Sequence, residues 1–186
     1  MKNIVLQAIS ATLTDPEGQE WLEGIYRKIS SEGGTGSYLP MTPEEVEETI
    51  KSAEWEVETT DHERNSIILF THGIKGFYNM RSLEDLPDDA ELVVAKFHGD
   101  KPQLAWVSDD YKGTPTDELR AIVGIDETGT VTFFITAYPG PAIMPEDIEA
   151  PEQFLGKKIT VAEARRFGAT YCKVVTEEAV EKALAK

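Results

Sequence analysis

Cysteine, histidine and basic side chains are all scarce in this chain of 186 residues, which has one cysteine, three histidines and 18 Lys plus Arg. Each shortage excludes something. A lone Cys172 cannot form an intramolecular disulfide, which suits a reducing compartment. In "TYCKVV" it reads as a buried strand residue, with no neighbouring base to make it a nucleophile. No apolar run approaches the roughly 18 residues that read as a membrane-spanning helix, so no membrane association is expected. The opening "MKNIVLQAIS" has only a short apolar stretch broken by Gln7, too little for a secretory signal. It is read as part of the fold, and the chain is expected to be cytoplasmic.

The shortage of bases leaves a net charge of -16, with 34 acidic residues. Such a surface repels polyanions at long range. It argues against broad non-specific nucleic-acid binding, whose affinity comes from neutralising phosphates. The charge is uneven: residues 1–60 carry 12 acidic and 4 basic side chains, residues 127–186 carry 9 and 7. A solvated face explains this most simply; a surface for a basic partner is the sharper reading. Paired His/Cys spacing for zinc is missing. His98, Asp100, Asp109 and Asp110 include plausible cation ligands, but "SDDYKGTPTDE" lacks the spaced oxygens and central glycine of an EF-hand loop. "EGGTGS" lacks the Lys-Ser/Thr ending of a phosphate loop. No metal and no cofactor are expected.

What is present sorts into segments. Asp15 caps and Pro16 opens a helix in which Trp21, Leu22, Ile25, Tyr26 and Ile29 recur at helical spacing. "SEGGTGS" ends it as a turn. Thr42 and Pro43 begin a second helix, and Glu44, Glu45, Glu47 and Glu48 sit in its first turns, where the helix dipole favours acid. Strand-like runs follow: "SIILFTH", with "GFYNM" as its hairpin partner, then "ELVVAKFH", "QLAWVS", "LRAIVGI" and "TVTFFITAY". Short connections between them predict an antiparallel meander. In the tail Thr160 caps a helix, "ATYCKVV" reads as an edge strand, and "TEEAVEKALAK" as a terminal helix. The expectation is a single α+β domain over 1–186: helical over 1–60, a mainly antiparallel sheet of four or more strands over 66–138, and a mixed helical tail over 146–186.

Strand alternation assigns side chains to faces. Val93, Ala95 and Phe97 share one face of "ELVVAKFH", and Val94, Lys96 and His98 the other. Leu119, Ala121, Val123 and Ile125 oppose Arg120, Ile122 and Gly124. Val131, Phe133, Ile135 and Ala137 read as core, with Thr132, Phe134, Thr136 and Tyr138 facing away. If these strands form one sheet, its outer face carries Lys96, His98, Arg120, Thr136 and Tyr138. That set has the parts for metal-independent RNA cleavage. Histidine can move the 2′-hydroxyl or 5′-oxygen proton near neutral pH. Lys96 and Arg120 can stabilise charge on the phosphorane, and Thr136 and Tyr138 can position phosphate or base. The bland alternatives are a turn histidine at His98, as at His72, a solvent-facing Lys96, and an Arg120 paired with a carboxylate.

The stretch from Lys96 to Pro139, with "ITAYP" closing its last strand, resembles the ribonuclease group that includes barnase, the EndoU enzymes, colicin-type tRNA nucleases and RelE. In many toxin and prophage members of that group, helices precede a four-stranded antiparallel sheet whose last core strand ends hydrophobic-Thr-aromatic-Pro. The resemblance implies RNA as partner, His98 as acid/base, Lys96 and Arg120 as phosphate-stabilising cations, and Thr136 and Tyr138 as positioning groups. The competing expectation is a non-enzymatic acidic protein of binding or immunity type that engages a basic partner. Free cations on the sheet favour the enzyme; cations neutralised by carboxylates favour the binder.

Overall fold

The computed structural model describes residues 3–31 and 37–185. The turn expected in "SEGGTGS" falls mostly on residues 32–36, outside the described residues. The N-terminal part holds helices α1 (Ile4–Thr12), α2 (Pro16–Ser30) and α3 (Pro43–Ser52). Strands β1 (Glu56–Asp61), β2 (Ser66–Thr71), β3 (Gly76–Tyr78), β4 (Met80–Ser82), β5 (Glu91–Ala95) and β6 (Gln103–Val107) follow. Next come β7 (Thr114–Thr116), β8 (Leu119–Ile125) and β9 (Val131–Pro139). The tail holds α4 (Pro145–Ile148), β10 (Lys158–Thr160), α5 (Val161–Arg166), β11 (Tyr171–Val175) and α6 (Glu177–Leu184). The fold is α+β, with N-terminal helices, a four-stranded antiparallel sheet and a C-terminal helix.

Two compact units emerge: Met1–Tyr78 with Pro115–Pro141, and Asn79–Thr114 with Ala142–Lys186. The expected sheet segment 66–138 does not follow this division, because its strands are shared between the units. In the first unit β1, β2, β8 and β9 pair in that order, all antiparallel. In the second the order is β10-β5-β6-β11-β4, antiparallel except for the parallel pair β6 and β11.

Three expectations about strand order are overturned. "GFYNM" is not the hairpin partner of β2: β3 pairs with β7, and β4 joins β11. The strands are not a meander, since β2 pairs with β8, far along the chain. "ATYCKVV" is no edge strand, because β11 lies between β6 and β4. Alternation within a run specifies which face is buried, but it carries no information about which run lies alongside.

The helices form where their caps predict. Asp15 accepts from the Gly18 N–H with Pro16 in the first turn, and Thr42 and Glu45 complete a capping box on α3. The apolar stripes Leu22, Ile25 and Ile29 of α2, Val46 and Ile50 of α3, and Val5 and Ile9 of α1 pack with Leu69, Leu119, Ala121, Val123, Phe134 and Ala137 of the sheet. Each Val, Leu, Ile or Phe among them, once buried, contributes about 1.5–3 kcal/mol relative to exposure. Thr160 and Glu163 likewise box the start of α5. The second unit's core joins Leu92, Val94, Leu104, Ile159, Val161, Ala164 and Cys172.

Strand β9 departs from simple alternation. Val123 pairs with Phe134 and Ile122 with Thr136, so Ile135 is an extra residue with no partner in β8. A bulge of this kind reverses the in/out order beyond it. Phe134 is therefore fully buried, whereas Phe133, expected in the core, is 49% exposed. Its ring lies over Gly124: a Cβ added there would meet it at 2.4 Å. The backbone groups beside the bulge are taken up by helix side chains. The Thr12 hydroxyl accepts from the Phe134 N–H at 2.7 Å and donates to the Ala8 carbonyl at 2.9 Å. The Trp21 indole N–H donates to the Ile135 carbonyl at 3.1 Å.

A candidate polar site on the four-stranded sheet

Strand β1 bulges as well, between Val57 and Thr59, which sets Glu58 outside the regular register. From there its carboxylate reaches Arg120 of β8, although β2 lies between the two strands. Arg120 is 5% exposed, an unusual place for a guanidinium. Its Nε and Nη2 donate to the two Glu58 oxygens at 2.8 and 2.6 Å, and Nη1 donates to Glu118 at 2.9 Å and to the Gly140 carbonyl. The bidentate fork is the strongest form of such a pair. The hydrogen bond from Arg120 holds the Glu58 carboxyl below its ordinary pKa, and Glu58 in turn keeps the guanidinium charged.

Tyr138 is the direct cross-strand neighbour of Arg120, and Thr136 that of Ile122. Burial raises the Tyr138 phenol pKa, with the Arg120 charge acting in the other direction. Phe70 flanks Arg120 on the other side, and the exposed His72 meets Phe70 edge-on at 5.3 Å between ring centres. The "YPG" ending is a structural device. Gly140 adopts φ 112°, and an added Cβ would lie 2.8 Å from the Tyr78 side chain. Only glycine turns the chain there and aims its carbonyl at Arg120.

The structure therefore brings together three of the five expected residues, Arg120, Thr136 and Tyr138, on neighbouring strands of one sheet. Lys96 and His98 are not on it. They follow β5, a strand of the five-stranded sheet in the other unit, and lie in the bend past its end. Strand β5 is buried on both faces: Val93 and Ala95 are buried as expected, but so are Leu92 and Val94, so the face expected to carry Lys96 and His98 outward is not open. Lys96 pairs with Glu152 at 3.0 Å, and His98 is exposed. The assumption of one common sheet is thus corrected. The alternative of an Arg120 paired with a carboxylate holds, and Glu58 and Glu118 are the partners, which composition does not single out. Glu58 fell within the segment read as helical, and the bulge that aims it leaves no mark in composition.

Arg120 has five N–H donors, and four hydrogen bonds to Glu58, Glu118 and Gly140 already engage it. A phosphate would have to displace a carboxylate to reach it. Cys172 is buried, and desolvation pushes its thiol up to about 12, the opposite of an activated nucleophile. Among the described residues, no three His, Cys, Asp or Glu side chains gather as a metal ion would need, and no helix is long and apolar enough to cross a membrane. Compared with known proteins, the chain matches no protein-family model, no curated protein and no solved structure.

Proposed function

We propose that this chain is a non-enzymatic acidic protein that binds a basic partner through carboxylates on its N-terminal helices. The observation that carries the reading is the state of Arg120. Arg120, the cation beside Tyr138, is buried and neutralised by two carboxylates, where the nuclease chemistry needs it open to phosphate. The helices present charge instead. Glu17, Glu20 and Glu23 of α2 and Glu44 and Glu48 of α3 are exposed, in a chain of net charge -16. Such a surface steers a basic partner and speeds encounter. The test is titration with acetylated nona-arginine amide at rising salt. Binding that weakens with salt, and weakens further in Glu44→Lys/Glu48→Lys, is expected; no binding to the wild type at low salt sinks the reading.

One observation favours a second reading, the metal-independent ribonuclease. Glu58, Arg120 and Tyr138 put a carboxylate, a guanidinium and a phenol together on strands β1, β8 and β9 of one sheet. There Glu58, rather than His98, would take the 2′-hydroxyl proton as that oxygen attacks phosphorus, Arg120 would stabilise the phosphorane, and Tyr138 would give its proton to the 5′-oxygen as the P–O5′ bond breaks. Incubation with labelled RNA in EDTA separates the two. Cleavage lost in Tyr138→Phe and Glu58→Gln supports the nuclease; no cleavage leaves the binder.

A further inference from the structure

A groove of about 400 Å³ opens between the α1–α2 turn and β9. Thr14, Asp15, Gly18, Trp21, Thr132 and Ile135 line it. We propose that this groove receives an arginine side chain of the basic partner, an inference that rests on the binding reading above.

The indole is the first argument. Trp21 is 55% exposed, although its position in the helical stripe predicts burial. Its N–H is fixed on the Ile135 carbonyl, so the ring is held in place while much of it faces solvent. A surface already ordered in this way loses little freedom when something binds. A guanidinium stacks on such a ring through cation–π attraction.

Charge selects the occupant. Asp15 is the charged residue lining the groove. One of its oxygens accepts from the Gly18 N–H at 2.6 Å, and an ionised carboxylate has capacity for further donors. Glu17 precedes Trp21 by one helical turn and so lies on the same face of α2. An anion is repelled here. An apolar ligand would strip water from Asp15 without replacing its hydrogen bonds. A hard cation such as calcium needs six to eight oxygens, and this groove offers one carboxylate. Arginine meets both parts, with a planar face for the indole and a fork of donors for the carboxylate.

Gly18 makes the groove possible. An added Cβ would lie 2.0 Å from the Thr12 carbonyl oxygen, so only glycine lets α2 approach the end of α1 this closely.

The test uses the full chain, ¹⁵N-labelled, titrated with acetylated nona-arginine amide while the Trp21 indole N–H signal is followed. Asp15→Asn removes the charge but keeps a good helix cap. It is expected to weaken binding about tenfold, as loss of a central contact does, with Glu44→Gln changing it less than about twofold, as for a screened rim charge. Trp21→Leu, checked for unchanged secondary structure, is expected to match Asp15→Asn. A still Trp21 signal, with Asp15→Asn and Glu44→Gln equal while the wild type binds, overturns the groove and leaves the binding reading intact. No binding by the wild type overturns the binding reading itself.

Discussion

Arg120 and Glu58 meet fork to fork, at 2.6 and 2.8 Å, from two strands that are not neighbours. The pair spans β2 and ties the first strand of the sheet to the third. Replacing Arg120 by Met leaves the part-buried Glu58 and Glu118 carboxylates without their counter-charge. Because water reaches both carboxylates, the loss is about 1–3 kcal/mol, below that of a fully buried pair. Urea unfolding of Arg120→Met should show a loss of that size, and a loss under about 0.5 kcal/mol would mean that the pair does not hold the strands.

The same contact sets a pH dependence. Glu58 has a lower pKa in the folded chain than an ordinary glutamate, chiefly through the Arg120 hydrogen bond. As pH falls, the unfolded chain takes up this proton first. The stabilisation is complete above the ordinary glutamate pKa of about 4.3. It is lost as pH drops below that value towards Glu58's folded one. Stability measured from pH 7 to pH 3 should therefore fall more steeply in the wild type than in Glu58→Gln; parallel curves would contradict the assignment.

Thr12 places one hydroxyl between two backbone groups, accepting from Phe134 and donating to Ala8. Valine fills the same volume but strands the buried Phe134 N–H, at a cost of about 1–3 kcal/mol. Serine keeps both bonds. Thermal or urea unfolding should rank wild type, then Thr12→Ser, then Thr12→Val, with the larger step at valine.

The effect of substituting Gly124 should depend on Phe133. With the ring in place, an alanine Cβ would lie 2.4 Å from it, and the ring must move. Gly124→Ala should then cost about 0.2–1 kcal/mol, the worth of a cross-strand contact, because the half-exposed ring is pushed off the strand. In a Phe133→Ser background the clash is gone, and alanine restricts the unfolded chain more than glycine, so the substitution becomes neutral or stabilising. A double-mutant cycle reads the change of sign directly; additive effects would show that ring and glycine do not touch.

Local features of the fold were legible where local chemistry fixes them. Asp15 with Pro16, Thr42 with Pro43, and Thr160 each mark a helix start, because a cap needs only its own next few residues. The core face of β8 could be read by counting in twos. The same count failed on β9, because one extra residue at Ile135 exchanges the roles of Phe133 and Phe134. Nothing in "FFITAY" marks a bulge; Thr12 and Trp21, more than 100 residues away, satisfy it. The candidate site divided along the same line. Arg120, Thr136 and Tyr138 could be grouped because β8 and β9 are consecutive strands joined by a short turn. Lys96 and His98 were added on the assumption that consecutive strands share a sheet. That assumption fails wherever the chain leaves one sheet and returns to it.

The interleaving of the two units has a consequence for how the chain is made. A ribosome releases residues in order, yet β2 finds its partner β8 only after residues 72–118 have emerged, of which 79–114 belong to the other unit. The first unit cannot close its sheet until then, and the second must wait longer, for β11 to enter between β6 and β4. Pairings this distant along the chain slow folding, because loops must close before their contacts form. During that wait the apolar edge of β2, "SIILFT", is uncovered, which makes it the segment most in need of protection from other chains during synthesis.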